Sequence, residues 1–136
     1  MEPLKQYQRR KFDSGLTRIE ILLKLYDRLI GDLEMCRDAQ REKNDSLLIK
    51  HQLDTHKAMT AILSGLRPEE NEIAFNIARL LHFIMQKIDQ DDYEPAIKIA
   101  NSIQSGFRQI ADQAIEMEQN GEIEPLPMTD SYESVG

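Results

Sequence analysis

The sequence predicts an all-α protein, an antiparallel up-down four-helix bundle formed by one domain. Three observations predict this class. The chain has 136 residues, with only 6 Gly, 5 Pro and no Trp. Its apolar residues recur every three or four positions along four long segments, which is the spacing of a helix face. The connections between these segments are short, and short connections favour neighbouring helices that run in opposite directions.

The first segment, from about residue 16 to residue 40, contains the stretch IEILLKLYDRLIGDLE and the strongest periodic signal. Its predicted core series has spacings of three and four. The series is Ile19, Leu22, Tyr26, Leu29, Leu33 and Cys36. Apolar residues cover more of this helix than one core face needs, and Ile21 and Leu25 are the surplus. Because Cys36 lies within the series, we expect a small core residue and not a reactive thiol.

The second segment follows the charged turn REKND, where Asp45 is the predicted N-cap residue. We expect the helix to run to Leu66 and to be broken by Pro68, because the residue before a proline resists the helical conformation. Gln52 and His56 interrupt its apolar stripe. The predicted core series is Leu48, Thr55, Met59, Ile62 and Leu66.

The third and fourth segments carry similar series. In the third, Phe75 and Phe83 lie outside the predicted core stripe. The fourth has Pro95 near its start, where a proline is tolerated only in the first turn. The third core series is Ile73, Ile77, Leu80, Ile84 and Ile88, and the fourth is Ala96, Ile99, Ala100, Ile103, Phe107, Ile110 and Ala114.

The two ends differ in composition from the bundle, which we assign to residues 16–120. Residues 1–15 form a basic N-terminal arm on an otherwise acidic chain. Residues 121–136 have two prolines, several acidic residues and no basic one, which predicts a disordered acidic tail. The basic residues of the arm are Lys5, Arg9, Arg10 and Lys11.

Composition also limits the function. A net charge of −7 and a pI near 5.0 argue against binding nucleic acid through a positive field. The sequence has neither the apolar run of a signal peptide nor a segment long enough to span a membrane, so we expect a cytoplasmic protein without a membrane partner. Cys36 is the single cysteine, which excludes an intramolecular disulfide and suits a reducing compartment.

Few residues suggest catalysis. His51 and His56 lie about 140° apart on a helix, too far for a shared metal site. The sequence has no Gly-rich phosphate loop, nucleophile elbow or zinc pattern. We therefore predict no enzyme, catalytic residue, metal or cofactor. A histidine-phosphotransfer module, with His82 as phosphate acceptor, is a distant alternative.

Surplus apolar side chains instead suggest a binding surface. The interpretation is a groove site that receives an amphipathic helix of a partner. Packing beneath loops or the N-terminal arm is the alternative explanation for these residues. The predicted partner-binding residues are Ile21, Leu25, Leu53, Phe75 and Phe83.

Three stretches resemble a known family, the flagellar secretion chaperone FliS. EILLKLYDRLIGDLE is similar to its first-helix signature, in which an apolar run leads into Leu25, Tyr26 and Asp27. EIAFNIARLLHFIMQKI is similar to its third helix, and KAMTAILSGLRPEENEI to its second helix and the turn that follows. The resemblance covers about residues 7–114.

The resemblance implies a non-enzymatic chaperone that binds the C-terminal segment of newly made flagellin. Binding would prevent premature polymerisation and keep flagellin competent for type III export. Other components of flagellar export are further candidate partners. The resemblance also implies that the N-terminal arm covers part of the binding surface, with Tyr7 and Phe12 as anchors. The alternative is a helical adaptor or chaperone for another flagellar or secreted protein.

Overall fold

The computed structural model describes residues 16–121, and all regular structure in that range is helical. The four helices are α1 (Arg18–Arg41), α2 (Asp45–Ser64), α3 (Glu72–Asp89) and α4 (Tyr93–Gln119). The prediction of an all-α fold with four helices is confirmed for this part of the chain. The predicted arm, and the predicted tail from residue 122 onward, lie outside the described residues.

Side chains at the helix starts explain where α1, α2 and α3 begin. Both the backbone N–H and the hydroxyl of Thr17 donate to Glu20 Oε1, at 2.9 and 2.8 Å. Asn71 Oδ1 accepts from the backbone N–H of Ala74 at 2.8 Å. Each bond satisfies polar groups that a helix terminus leaves without partners.

Two predicted boundaries of α2 are wrong by one or two residues. Its N-cap is Asn44, whose Oδ1 accepts from the backbone N–H of Leu47 at 3.2 Å, and Asp45 is the first helical residue. The helix ends at Ser64, and the C-cap is Gly65, so Leu66 lies beyond it. Asn44 is extended and can aim its amide oxygen at the first turn.

The core forms where α1 meets α2 and α4. The predicted α1 series is confirmed there, except that Leu22 is only half-buried. Cys36 is completely buried, as expected, and its Sγ lies 3.6 Å from the hydroxyl oxygen of Thr55. The largest of the fully buried side chains are Tyr26, Leu29, Leu33, Cys36, Thr55, Met59, Leu81 and Ile84.

The predicted core face of α3 is partly wrong. Ile84 and Ile88 are buried, but Ile73 is 72% exposed and Leu80 is 42% exposed. The reason is that α3 packs mainly against α4 and hardly touches α2. With only one close neighbour, α3 buries one edge of its apolar face and leaves the other edge open.

Polar bonds connect α1 to α4 along their length. The backbone N–H of Arg18, at the start of α1, donates to Glu118 Oε1 near the end of α4 at 3.0 Å. At the other end of α1, Arg37 donates to Glu94 in the first turn of α4 at 3.1 Å. These bonds join the beginning of each helix to the end of the other.

Candidate functional site

An apolar groove of about 640 Å³ lies between α3 and α4. Lys98 is its single charged lining residue. The lining residues are Ile73, Ile77 and Leu80 from α3, and Lys98, Ile99, Ser102, Ile103, Gly106, Phe107 and Ile110 from α4. We call this feature the α3–α4 groove.

Helix geometry places the three α3 side chains of the groove in one row. Ile73, Ile77 and Leu80 are spaced by four and three residues, so they lie on the same side of the helix. On the opposite wall Ile110 is 50% exposed. Large apolar side chains that remain exposed and adjoin each other are a mark of interaction surfaces.

The floor of the groove is continuous with the core. Ile103 is buried, while Ile77, Ile99 and Phe107 are partly buried and pack against the core. The ring centroid of Phe107 lies 5.8 Å from that of Tyr26 on α1. Because the floor is held by core packing, the groove is formed before any ligand arrives, which lowers the entropy cost of binding.

Gly106 leaves part of the α4 wall without a side chain. A methyl group added to Gly106 would have no neighbouring atom within 4 Å. A glycine in the middle of a helix costs stability relative to alanine. This glycine therefore keeps the groove wide at a small expense in helix stability.

The five predicted partner-binding residues do not line this groove. Leu53, Phe75 and Phe83 are exposed, by 59%, 52% and 39%. Ile21 and Leu25 are half-buried, and Leu25 packs against the core. Their role in partner binding stays a prediction. Tyr7 and Phe12, the expected arm anchors, lie outside the described residues.

Lys87 lies beside one of these exposed aromatics. Its Nζ is 5.1 Å from the centroid of the Phe83 ring, close enough for a cation–π interaction. Phe83 comes three residues after Leu80 in α3, so helix spacing places it next to that groove residue. Of the two predicted residues on α3, Phe83 is therefore the one that helix geometry places nearer to the groove.

The groove residues were missed because the sequence analysis assigned them to the core. The apolar side chains of α3 cover a wide arc around the helix, so they can form both a core face and a second surface. The width of the arc was a usable signal, but it does not tell which edge is buried. That depends on which neighbours α3 has.

A polar cluster between α1 and α2 is the other notable arrangement. Asp32 Oδ2 and His51 Nδ1 are buried and have no hydrogen-bond partner within residues 16–121, and His51 Nδ1 lies 4.0 Å from Asp54 Oδ2. Burial, followed by the negative charge of Asp54, raises the pKa of Asp32, and nearby Arg28 opposes this shift. The cluster therefore contains a carboxyl group, that of Asp32, that holds its proton more tightly than usual.

Within residues 16–121, no three His, Cys, Asp or Glu side chains converge so that they could hold a metal ion. Burial raises the pKa of the Cys36 thiol, which makes the reactive thiolate scarcer. His82 is exposed on α3.

No protein-family model matches this chain, and neither a curated protein nor a solved structure matches it. The resemblance to the flagellar secretion chaperones therefore stays a prediction drawn from short stretches of sequence. Among the described helices, none is both long and apolar enough to cross a lipid bilayer.

Proposed function

We propose that this chain is a non-enzymatic cytoplasmic export chaperone that binds the C-terminal segment of flagellin in the α3–α4 groove. One observation carries the proposal, the convergence of exposed apolar side chains from two helices on a preformed groove. A partner helix with apolar residues at every third or fourth position would fit such a surface. The sequence resemblance supplies the identity of the partner.

The proposal includes a finer architecture, an antiparallel four-helix bundle. The bonds of Arg18 with Glu118 and of Arg37 with Glu94 support opposite directions for α1 and α4. The weak contact between α2 and α3 makes this bundle an open one. An open bundle leaves the outer edge of α3 available to a partner.

The dimensions of the groove suit a helix of a few turns. On α4 the lining runs from Lys98 to Ile110, which is about 18 Å of helix at 1.5 Å per residue. Apolar burial contributes about 25 cal/mol per Å² removed from water. Burial of the partner's apolar face, together with that of Ile73, Leu80 and Ile110, would offset the entropy lost when a disordered segment folds. Flagellin held in this way cannot use the same segment for polymerisation.

Calorimetry tests the proposal directly. The intact chain is titrated with the C-terminal segment of flagellin from the same organism, and circular dichroism of the mixture reports helix formation in the segment. Binding should show a negative heat-capacity change, because apolar surface is buried. Ile73→Glu and Ile110→Glu should each weaken binding by about tenfold or more, which is about 1.4 kcal/mol.

Ile49→Glu is the matched control, because Ile49 is 58% exposed on α2 and does not line the groove. All three variants should keep their helicity, since each side chain is at least half exposed. Phe75→Glu and Phe83→Glu test the surface predicted from sequence in the same assay. No binding by the folded wild-type chain would refute the flagellin proposal. Binding of a different secreted segment would support the adaptor alternative.

A further inference from the structure

We propose that the chain from residue 122 onward lies in the α3–α4 groove when no partner is bound, and that it competes with the partner. The competition rests on the proposed function, whereas the docking itself does not. Four features support this occupant. They are the path of the chain at the end of α4, the length of the segment, its residues and the charge at the far end of the groove.

The end of α4 takes the chain out of the line of the helix. After the C-cap residue Asn120, Gly121 adopts the left-handed conformation with φ +81°. Its N–H donates to the carbonyl of Glu118 at 3.1 Å. A left-handed glycine at this position turns the chain away from the helix axis instead of extending it.

The segment is long enough to reach the whole groove. Ile110 lies about 16 Å before Gly121 along the axis of α4. An extended chain advances about 3.3 Å per residue, so Met128 can reach the level of Ile110 with length to spare. Glu133, a further five residues along, can reach the level of Lys98. The sequence provides at least the fifteen residues 122–136 for this path.

The residues of the segment fit an apolar groove with open ends. Ile123, Leu126 and Met128 supply apolar side chains, and Pro125 and Pro127 fall between them. Each proline restricts its own φ angle and favours an extended conformation in the residue before it. A chain that is already restricted loses less conformational entropy when it docks.

Charge favours this segment over the N-terminal arm. Lys98 is the charged residue of the groove lining, and Glu133 follows the apolar residues of the segment at a reach that matches it. The segment has no Lys or Arg. Residues 1–15 carry two arginines and two lysines, which Lys98 would repel.

Docking of this kind would regulate the chaperone. A partner must displace the segment, so its apparent affinity falls by the fraction of molecules with an open groove. The groove would also be shielded from water in the free protein, which limits association between apolar surfaces. Substitution of Ile123 and Leu126 by aspartate should therefore strengthen partner binding.

A pair of engineered cysteines in the full chain tests the docking. The variant Ile110→Cys with Met128→Cys is equilibrated in a glutathione redox buffer at low protein concentration. The intramolecular disulfide is then quantified by mass spectrometry. The matched control is Asp112→Cys with Met128→Cys, because Asp112 is exposed two residues further along and about 200° around α4.

The chain between the two cysteines has nearly the same length in both pairs. The pairs therefore differ mainly in the face of α4 that carries the first cysteine. We expect the groove pair to show an effective concentration at least about tenfold above the control pair. Lys98→Glu should lower the effective concentration of the groove pair, and the further substitution Glu133→Lys should restore it. Cys36 is completely buried, and a variant with Met128→Cys alone measures any background from it.

Equal effective concentrations in the two pairs would overturn the proposal. Preferential pairing of Ile110→Cys with Phe12→Cys would instead assign the groove to the N-terminal arm and would also overturn it. The measurement includes no flagellin, so its result does not depend on calorimetry with that partner. If the segment docks but flagellin does not bind, the proposed function is refuted and the docking proposal stands.

Discussion

Two glycines in helix interiors, one on the groove wall and one away from it, allow a sharp test of the groove. Gly106 lies in α4 on the groove wall, and Gly31 lies in α1 away from it. A methyl group at either position would have no neighbouring atom within 4 Å. Gly106→Leu and Gly31→Leu therefore share their effect on the helix and differ in their effect on the groove.

The expected gain in stability follows from helix propensity. Glycine in a helix interior is about 0.8 to 1 kcal/mol less favourable than alanine, and leucine is close to alanine. Each variant should raise the free energy of unfolding by about 0.7 kcal/mol. For a domain of this size the corresponding rise in Tm is about 3 °C. Chemical denaturation followed by circular dichroism measures the gain.

Binding of the flagellin segment should separate the two variants. The side chain of Gly106→Leu would occupy space that a partner needs, so affinity should fall by about tenfold or more, or about 1.4 kcal/mol. Gly31→Leu should bind like the wild type. Gly106→Ala should stabilise the helix and reduce affinity less, because its methyl group fills less of the groove.

Equal affinities for Gly106→Leu and Gly31→Leu would refute the α3–α4 groove as the binding site. A loss of stability in both variants would show that the space beside these glycines is smaller than the structure indicates.

Two predictions concern the core and the α1–α2 contact. Tyr26 is completely buried and its hydroxyl has no hydrogen-bond partner among the described residues, so Tyr26→Phe should raise the free energy of unfolding by about 1 kcal/mol. If chemical denaturation shows a lower free energy of unfolding for this variant, the hydroxyl of Tyr26 has a hydrogen bond in the folded protein. Asp32→Asn should stabilise the protein at neutral pH, because burial and the charge of Asp54 raise the pKa of Asp32 in the folded state. A raised folded pKa means that the native state binds the proton more tightly, so the wild type gains stability as the pH falls, and the advantage of the variant should shrink. Unfolding curves at neutral and acidic pH measure this difference, and an advantage that does not change with pH would contradict the assignment.

Sequence periodicity predicted most of the secondary structure. The row from Ile19 to Cys36 was predicted to face the core, and five of its six members are buried. Pro95 was expected in the first turn of a helix and lies at the third position of α4. These predictions succeed because helix spacing and proline geometry are local properties of the chain.

Helix periodicity alone predicts the four helices of residues 16–121, their approximate bounds and the buried face of α1. The packing of the helices is needed to show that Ile73, Leu80 and Ile110 line an open groove, although their spacing marks them as core residues. Periodicity shows that apolar side chains share a face, but burial depends on what packs against that face. Because α3 meets α4 and hardly touches α2, the other described helices leave part of its apolar face uncovered.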